Sequence, residues 1–437
     1  MRCLLDPDAS TLGVYTPDRY FIVIMKAGAD GGPDPLVFVH EYWHYLQNIS
    51  TLHGLKSFEV TQQLVPVFSA TLNADGTSRG SDGLSDDQKR HLSRFLAYRS
   101  TLDGEVGPDH DVDVKAEVIG VRGDSITLET RWPGTYTRKQ LELRLGARAI
   151  KESIAHLVEC HVAGLIGLTV PRAPEFPYSI LTRVSAFLAG RDLHPLSVAS
   201  LGTLALLTDD PAATFGRATI EYQARATPDG VDEACLRALA AELVIPDLRH
   251  TISVITTADL PSIKSIHVGR GTSEKAVAFI VDETQRALER RVADPLFDIQ
   301  GLLRLEPGAD PILSLIDMMK TEFVPCDMEF DGHVQSFHPG TEDELGLDLS
   351  QYLRSFQAQQ EFMMVHVKPA GDGFRPSSTV SVPCSFNRCC THPNRTENAD
   401  HCARAPWRQY KDAPTGCWYL NGVAATIGPH TIRKIIR

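Results

Sequence analysis

The sequence predicts an α+β fold, with a small sheet joined to core helices, a mainly helical middle and a loop-rich end. Three observations carry this reading. YFIVIM, from Tyr20 to Met25, is a β-branched apolar run, and a Gly-, Pro- and Asp-rich turn separates it from a long apolar helix. DVDVKAEVIGVRGDSITLETRW, residues 111–132, alternates apolar and polar side chains about a Gly-Asp turn, which is a hairpin signal. Residues 180–325 read as mainly helical, most clearly in SEKAVAFIVDETQRALERRV.

Taken in order, the strand at 20–25 leads through AGADGGPDP into a helix carrying VFVHEYWHYLQNISTLHG. Asp34 is its N-cap, Pro35 suits its first turn, and Gly54 is the expected stop. GTSRGSDGLSDDQ, residues 76–88, is polar and reads as a surface loop. After the hairpin, TYTRKQLELRL either adds a third strand or leads into a helix. GARAIKESIAHLVECHVAGLIGL, from Gly146 to Leu168, has Ala149, Ile150, Ile154, Leu157 and Val158 at helical spacing and reads as a mostly buried helix. From about Asp327 the chain turns Gly-, Pro- and Cys-rich. The expected organisation is therefore a core over 1–175 with an inserted hairpin at about 105–145. A helical region over 176–326 and a loop-rich Cys/His module over 327–437 follow it. The 437 residues exceed one ordinary core.

The bulk numbers narrow the function classes. Hydrophobic content is 43% and charged content 22%, ordinary for a globular protein. A net charge of −12 argues against a general nucleic-acid binder. No secretory leader and no run of about 18 uncharged apolar residues is visible, so a cytoplasmic location without a membrane partner is expected.

His40-Glu41-Tyr42-Trp43-His44 matches H-E-x-x-H. On a helix, residues i and i+4 share one face, so both imidazoles can reach one ion. Glu41 lies beside them without being forced to bind, where it can take a proton from an activated water. A catalytic zinc needs a third protein ligand and an open position. The extension H-x-x-G-x-x-H fails, because Gln47 and Ser50 occupy its Gly and final His positions. His53, nine residues past His44, falls on roughly the opposite side of a continuous helix and could ligate only if that helix ended early. Glu152, polar in an apolar helix, is the better third ligand. Ala149, Ser153 and Ala155 would let its helix approach another closely. His156 and Glu159 fall near the same face, either orienting a ligand histidine or substituting as third ligand.

HEYWH followed by a helix bearing a glutamate resembles the zincin superfamily of metallopeptidases, in its glutamate-ligand (gluzincin) branch. The flanks VFVHEYWHYLQNISTLHG and LGARAIKESIAHLVE are also similar to those of uncharacterised bacterial zincin-like proteins. The resemblance covers roughly residues 15–170. It implies a core of a small mixed or antiparallel sheet, an active-site helix and a Glu-bearing helix. It implies zinc held by His40, His44 and Glu152, with Glu41 as general base. The 108 residues between His44 and Glu152 are a departure, since compact gluzincins are far shorter there. Such peptidases often hold an extended substrate on a sheet edge, which 111–132 or 20–25 could offer. Tyr136, Tyr178, Tyr222 and several histidines are all candidate oxyanion donors, and sequence does not rank them.

Five of the nine cysteines lie between Cys384 and Cys417. Cys384, Cys389, Cys402 and Cys417 are the choice for a second, structural zinc, with Cys390, His392 and His401 as substitutes. The stretch from Cys384 to Arg437 holds eight Lys and Arg against three Asp and Glu, a local positive surplus that could serve a partner. The expected function is a zinc-dependent peptidase acting on a peptide or protein substrate, with a regulatory protein partner plausible for a cytosolic peptidase. The rivals are a non-catalytic zincin-like binding module and a metal hydrolase with a non-peptide substrate.

Overall fold

A computed structural model describes residues 13–16, 20–24, 34–82, 84–103, 115–131, 138–170, 173, 175–227, 230–308, 310–319, 326–330, 333–337, 344–368, 373–387, 390, 392–411 and 417–428. The chain opens with β1 (Gly13–Thr16), β2 (Phe21–Ile24), α1 (Pro35–Ser50), α2 (Leu52–Ser69) and α3 (Asp86–Asp103). It continues with β3 (Lys115–Arg122), β4 (Ser125–Arg131), β5 (Arg138–Arg144) and α4 (Ala147–Ile166). The middle is helical: α5 (Glu175–Tyr178), α6 (Ile180–Ala189), α7 (Pro195–Ala205), α8 (Pro211–Arg225), α9 (Glu233–Leu243), α10 (Ile245–Val254), α11 (Leu260–His267), α12 (Thr272–Ala293), α13 (Phe297–Leu302) and α14 (Pro311–Met319). Last come β6 (Cys326–Phe330), β7 (His333–Phe337), α15 (Glu344–Met364), α16 (Asn394–Glu397), α17 (Ala399–Arg404) and α18 (Trp418–Ile427). The fold is thus mixed α+β and mostly helical. Among the described residues, no helix is long and apolar enough to cross a membrane.

Two sheets form. One has the order β1-β2-β6-β7, with β2 parallel to β6 and the other pairs antiparallel. The other is the antiparallel meander β3-β4-β5, so TYTRKQLELRL supplies a third strand and not a helix. Gly123, at φ 63°, makes the turn between β3 and β4. β2 is paired on both sides, so of the two stretches expected to offer an edge, 111–132 does so through β3, an outer strand among the described residues.

Helix α1 is the centre of the larger core. Asp34 accepts from the backbone N–H groups of Leu36 and Val37 at 3.0 and 3.2 Å, and Pro35 opens the first turn. Phe38, Val39, Tyr42 and Trp43 are fully buried. The core around them takes in α4, the middle helices and the first half of α15. A second cluster joins the end of α2, the second half of α15, α18 and the loops around Trp407.

The expected stop at Gly54 is not where α1 ends. Thr51 is extended (φ −119°, ψ 152°), and its hydroxyl caps α2 by accepting from Gly54 N at 3.1 Å. Gly54 lies inside α2, where a Cβ would sit 2.3 Å from the Asn48 carbonyl oxygen. Its role is close approach at the α1–α2 elbow. The end of α1 is held instead by Arg291 of α12, which donates to the Ser50 carbonyl at 3.2 Å and to its hydroxyl at 3.0 Å. A buried cation at a helix C-terminus complements the helix dipole. Asp298 pairs with Arg291 at 2.7 Å, and both side chains are buried.

Asp298→Ala leaves Arg291 charged and buried without its carboxylate. The expected loss is about 3–5 kcal/mol by urea unfolding. Asp282→Ala removes the exposed Asp282–Lys264 pair instead and should change stability by about 1 kcal/mol at most.

Candidate metal centre

Helices α1 and α4 pack face to face. Ala149, Ser153 and Ala155 are buried, and the Ser153 hydroxyl meets the Pro177 carbonyl and the Leu181 N–H, on the side of α5 and α6. The contact brings together His40 and His44 from α1 and Glu152 from α4. The Glu152 carboxylate oxygen Oε2 lies 3.2 Å from His44 Nε2 and 3.5 Å from His40 Nε2. Ligand atoms of all three lie within 4.8 Å of one another, and they form such a group among the described residues. Two ligands at 2.0–2.2 Å across a tetrahedral angle are separated by about 3.3–3.5 Å. The observed spacings match that edge.

Neighbouring groups fix which ring nitrogens are available. Gln47 Nε2 donates to the Lys151 carbonyl at 3.2 Å, which can only accept. The Gln47 oxygen must therefore face His44 Nδ1, 3.0 Å away, so Nδ1 carries a proton and Nε2 is the nitrogen turned toward Glu152. Glu159 Oε2 sits 3.2 Å from His40 Nδ1 and orients that ring likewise. His156 Nδ1 lies 3.3 Å from the same Glu159 oxygen, and Cys160 Sγ is 3.7 Å from His156 Nε2. Glu159 and His156 thus sit behind His40 and not at the point where the two Nε2 atoms converge. Two ring nitrogens and a carboxylate oxygen converge on one point, a donor set of the kind that holds a divalent metal. The side chains of His40, His44 and Glu152 stay 11–22% exposed, so one side opens to solvent.

The charges agree. Burial disfavours the charged form of His40, but hydrogen bonds with Glu152 and Glu159 and the field of Glu41 outweigh it and carry it up to about 10. Burial would raise Glu152, yet His44 and His40 hold it well below the usual carboxylate range. Glu159, against the same burial cost, is held down to about 2 by His156 and His40. Burial also opposes charge on His156, and Cys160 and Glu159 carry it up to about 9. Glu41 is buried on α1, and its charge acts on both His40 and Tyr178.

Of the tyrosines that sequence left unranked, Tyr178 is at the site. Its ring centroid lies 5.9 Å from that of His40 and 5.7 Å from that of His156. Ser153 of α4 donates to the Pro177 carbonyl at 2.6 Å and so ties this segment to the Glu152 helix. Burial, and then the charges of Glu152, Glu41 and Glu159, push the Tyr178 phenol up, keeping it a neutral O–H donor. Tyr222 is buried elsewhere, 2.9 Å from the Ser197 hydroxyl, and Tyr136 lies outside the described residues. His53 does follow an early helix end but is buried in α2 outside the cluster. Gln47 is the residue that sequence reasoning passed over. Its signal was its spacing three residues after His44, on the same helical face. Of the cysteines, Cys389 lies outside the described residues, and no three of Cys384, Cys402 and Cys417 with their neighbours fall within 4.8 Å.

These charges predict a pH dependence for chelator-stripped protein. Glu159, held low, contributes stability that is complete above 4.5 and lost as pH falls toward about 2. His156 and His40, held high, contribute stability that is complete below 6.5 and lost as pH rises through about 9 and about 10. Glu159→Gln removes the shared partner. The difference in Tm between wild type and this variant should shrink from pH 6.5 to pH 9. A constant difference would contradict the arrangement.

No family model matches the chain, and neither a curated protein nor a solved structure matches it.

Proposed function

We propose that the chain is a zinc-dependent peptidase with a zincin-like core. The observation that carries this reading is one carboxylate oxygen at 3.2 and 3.5 Å from two imidazole nitrogens, with a buried Glu41 beside them. Two histidines, a glutamate and an opening to solvent make a donor set that suits zinc in a catalytic role. When bound, the ion would supply a Lewis acid and lower the pKa of a water to about 7.

The chain's own residues supply the rest. His40, His44 and Glu152 hold the ion. Glu159 and Gln47 keep both Nε2 lone pairs turned toward it. Glu41 is not needed as a ligand, and its carboxylate takes a proton from the attacking water and delivers it to the leaving amine. Tyr178 donates its phenolic proton in a hydrogen bond to the carbonyl oxygen as that oxygen gains negative charge. β3, an edge strand of the meander among the described residues, is the strand on which an extended peptide would pair.

Metal analysis and cleavage mapping test this together. The double variant His40→Ala with His44→Ala should lose one zinc per chain relative to wild type. Unchanged zinc there removes the site. Glu41→Gln should keep the zinc and lose about 10²–10⁴-fold in turnover. Cleavage maps of a proteome digest that are identical for wild type and Glu41→Gln, with metal retained, would assign the centre to binding instead of hydrolysis.

A further inference from the structure

We propose that Cys384, Cys390, Cys402 and Cys417 hold a structural zinc ion that fastens the loops after α15 to the second hydrophobic cluster. The four come from separate stretches of chain and are brought to one place by backbone bonds. Cys384 N donates to the Cys402 carbonyl at 2.7 Å, and Val382 N to the Arg404 carbonyl at 2.8 Å. These two bonds fasten the segment of Cys384 to the last turn of α17, which carries Cys402. Cys390 N donates to the Phe386 carbonyl at 2.7 Å, which turns the chain back after Cys384. Cys417 is the N-cap of α18. Cys384 belongs to the second cluster, and Cys390 and Cys417 pack against it. Cys402 is 8% exposed. None of these cysteines is in a disulfide.

What distinguishes the group from buried thiols that merely pack is the set of N–H donors aimed at the sulfurs. Gln409 Nε2 donates to Cys402 Sγ at 3.0 Å. The backbone N–H of Phe386 donates to the Cys384 sulfur, and those of Tyr419 and Leu420 to the Cys417 sulfur. A neutral thiol is a weak acceptor, whereas a thiolate is a strong one. A helix N-terminus, such as the one at Cys417, favours the thiolate in the same way. Hydrogen bonds to metal ligands of this kind are how a protein tunes a thiolate site. The remaining oxygen of the buried Gln409 side chain has no hydrogen-bond partner, which leaves a polar atom beside Cys402 for which packing alone gives no reason.

Electrostatics point the same way. Burial, then Glu361 and the sulfurs of Cys402 and Cys417, push the Cys384 thiol well up. Burial and the sulfur of Cys390 do the same to Cys402, and burial with the sulfurs of Cys390 and Cys402 to Cys417. Each of the four is therefore within electrostatic reach of at least two others, and together they do not ionise without a cation. A divalent ion reverses that balance, because a coordinating thiol is deprotonated outright. No three of the sulfurs lie within 4.8 Å of one another, so binding draws the group inward onto the ion. Four sulfurs in a tetrahedral set select zinc among the common divalent ions. Cys390 thereby takes the place that sequence reading gave to Cys389.

The test uses the full chain carrying His40→Ala and His44→Ala, so that the centre on α1 does not contribute. Metal analysis should find one zinc per chain, and cobalt substitution should give the intense thiolate-to-cobalt absorption of a sulfur-rich tetrahedral site. Adding Cys390→Ser should remove that band, whereas adding Cys389→Ser should leave it. The reverse pattern overturns the ligand set, and zinc-free protein overturns the site. Where a variant fails to fold, alkylation of the wild type decides. Cys384, Cys390, Cys402 and Cys417 should resist alkylation until a strong chelator is added, while the exposed Cys160 reacts throughout. Equal labelling of the four with and without chelator, or a disulfide among them, overturns the proposal.

Discussion

The structure turns on a half-buried carboxylate placed between two imidazoles. Glu152 on α4 faces His40 and His44 on α1 where the two helices pack together. Such a group is costly to bury without positive charge nearby. The surrounding polar residues serve that demand. Glu159 and Gln47 hold the rings, and Lys151 donates to Asn48 at 2.8 Å, adding a second polar link between the helices. The ends of α1 are held as firmly, by Asp34 at one terminus and by Arg291 at the other. A metal site needs ligands held to within a fraction of an ångström, and a helix fastened at both ends and packed on every side meets that need.

Elements distant in sequence build this frame. β6 completes the sheet beside β2, and Arg291 reaches the last turn of α1 from α12. The first half of α15 packs in the core of α1 and the second half in the cluster of the C-terminal loops. Under the proposed peptidase reading, the middle and end of the chain then form the body that holds the α1–α4 contact in shape. A structural ion among the cysteines would act on the second cluster, away from the chemistry.

Much of this was legible in local patterns. The Asp34-Pro35 start, the alternation about Gly123 and the helical spacing of Ala149 to Val158 each declare an element, because capping, turn geometry and periodicity act over a few residues. Gly54 misled for the same local reason. A glycine after a helical run reads as a stop, but here it answers a close approach by the Asn48 backbone, which no local rule contains. TYTRKQLELRL stayed ambiguous until its pairing with β4 was visible, since strand and helix differ there only by a partner.

Sequence by itself determined that two imidazoles would share one helical face with a carboxylate beside them, because a spacing of four residues matches the helical turn. It also singled out Glu152 as a polar residue with a use inside an apolar helix. Only the tertiary structure decided that Glu152 meets both rings while Glu159 stands behind one of them, and that Tyr178 borders the site where Tyr222 does not. Those roles depend on how α4 is rotated against α1 and where the segment after it returns. Packing between elements 108 residues apart sets that rotation, and a local spacing carries no information about it.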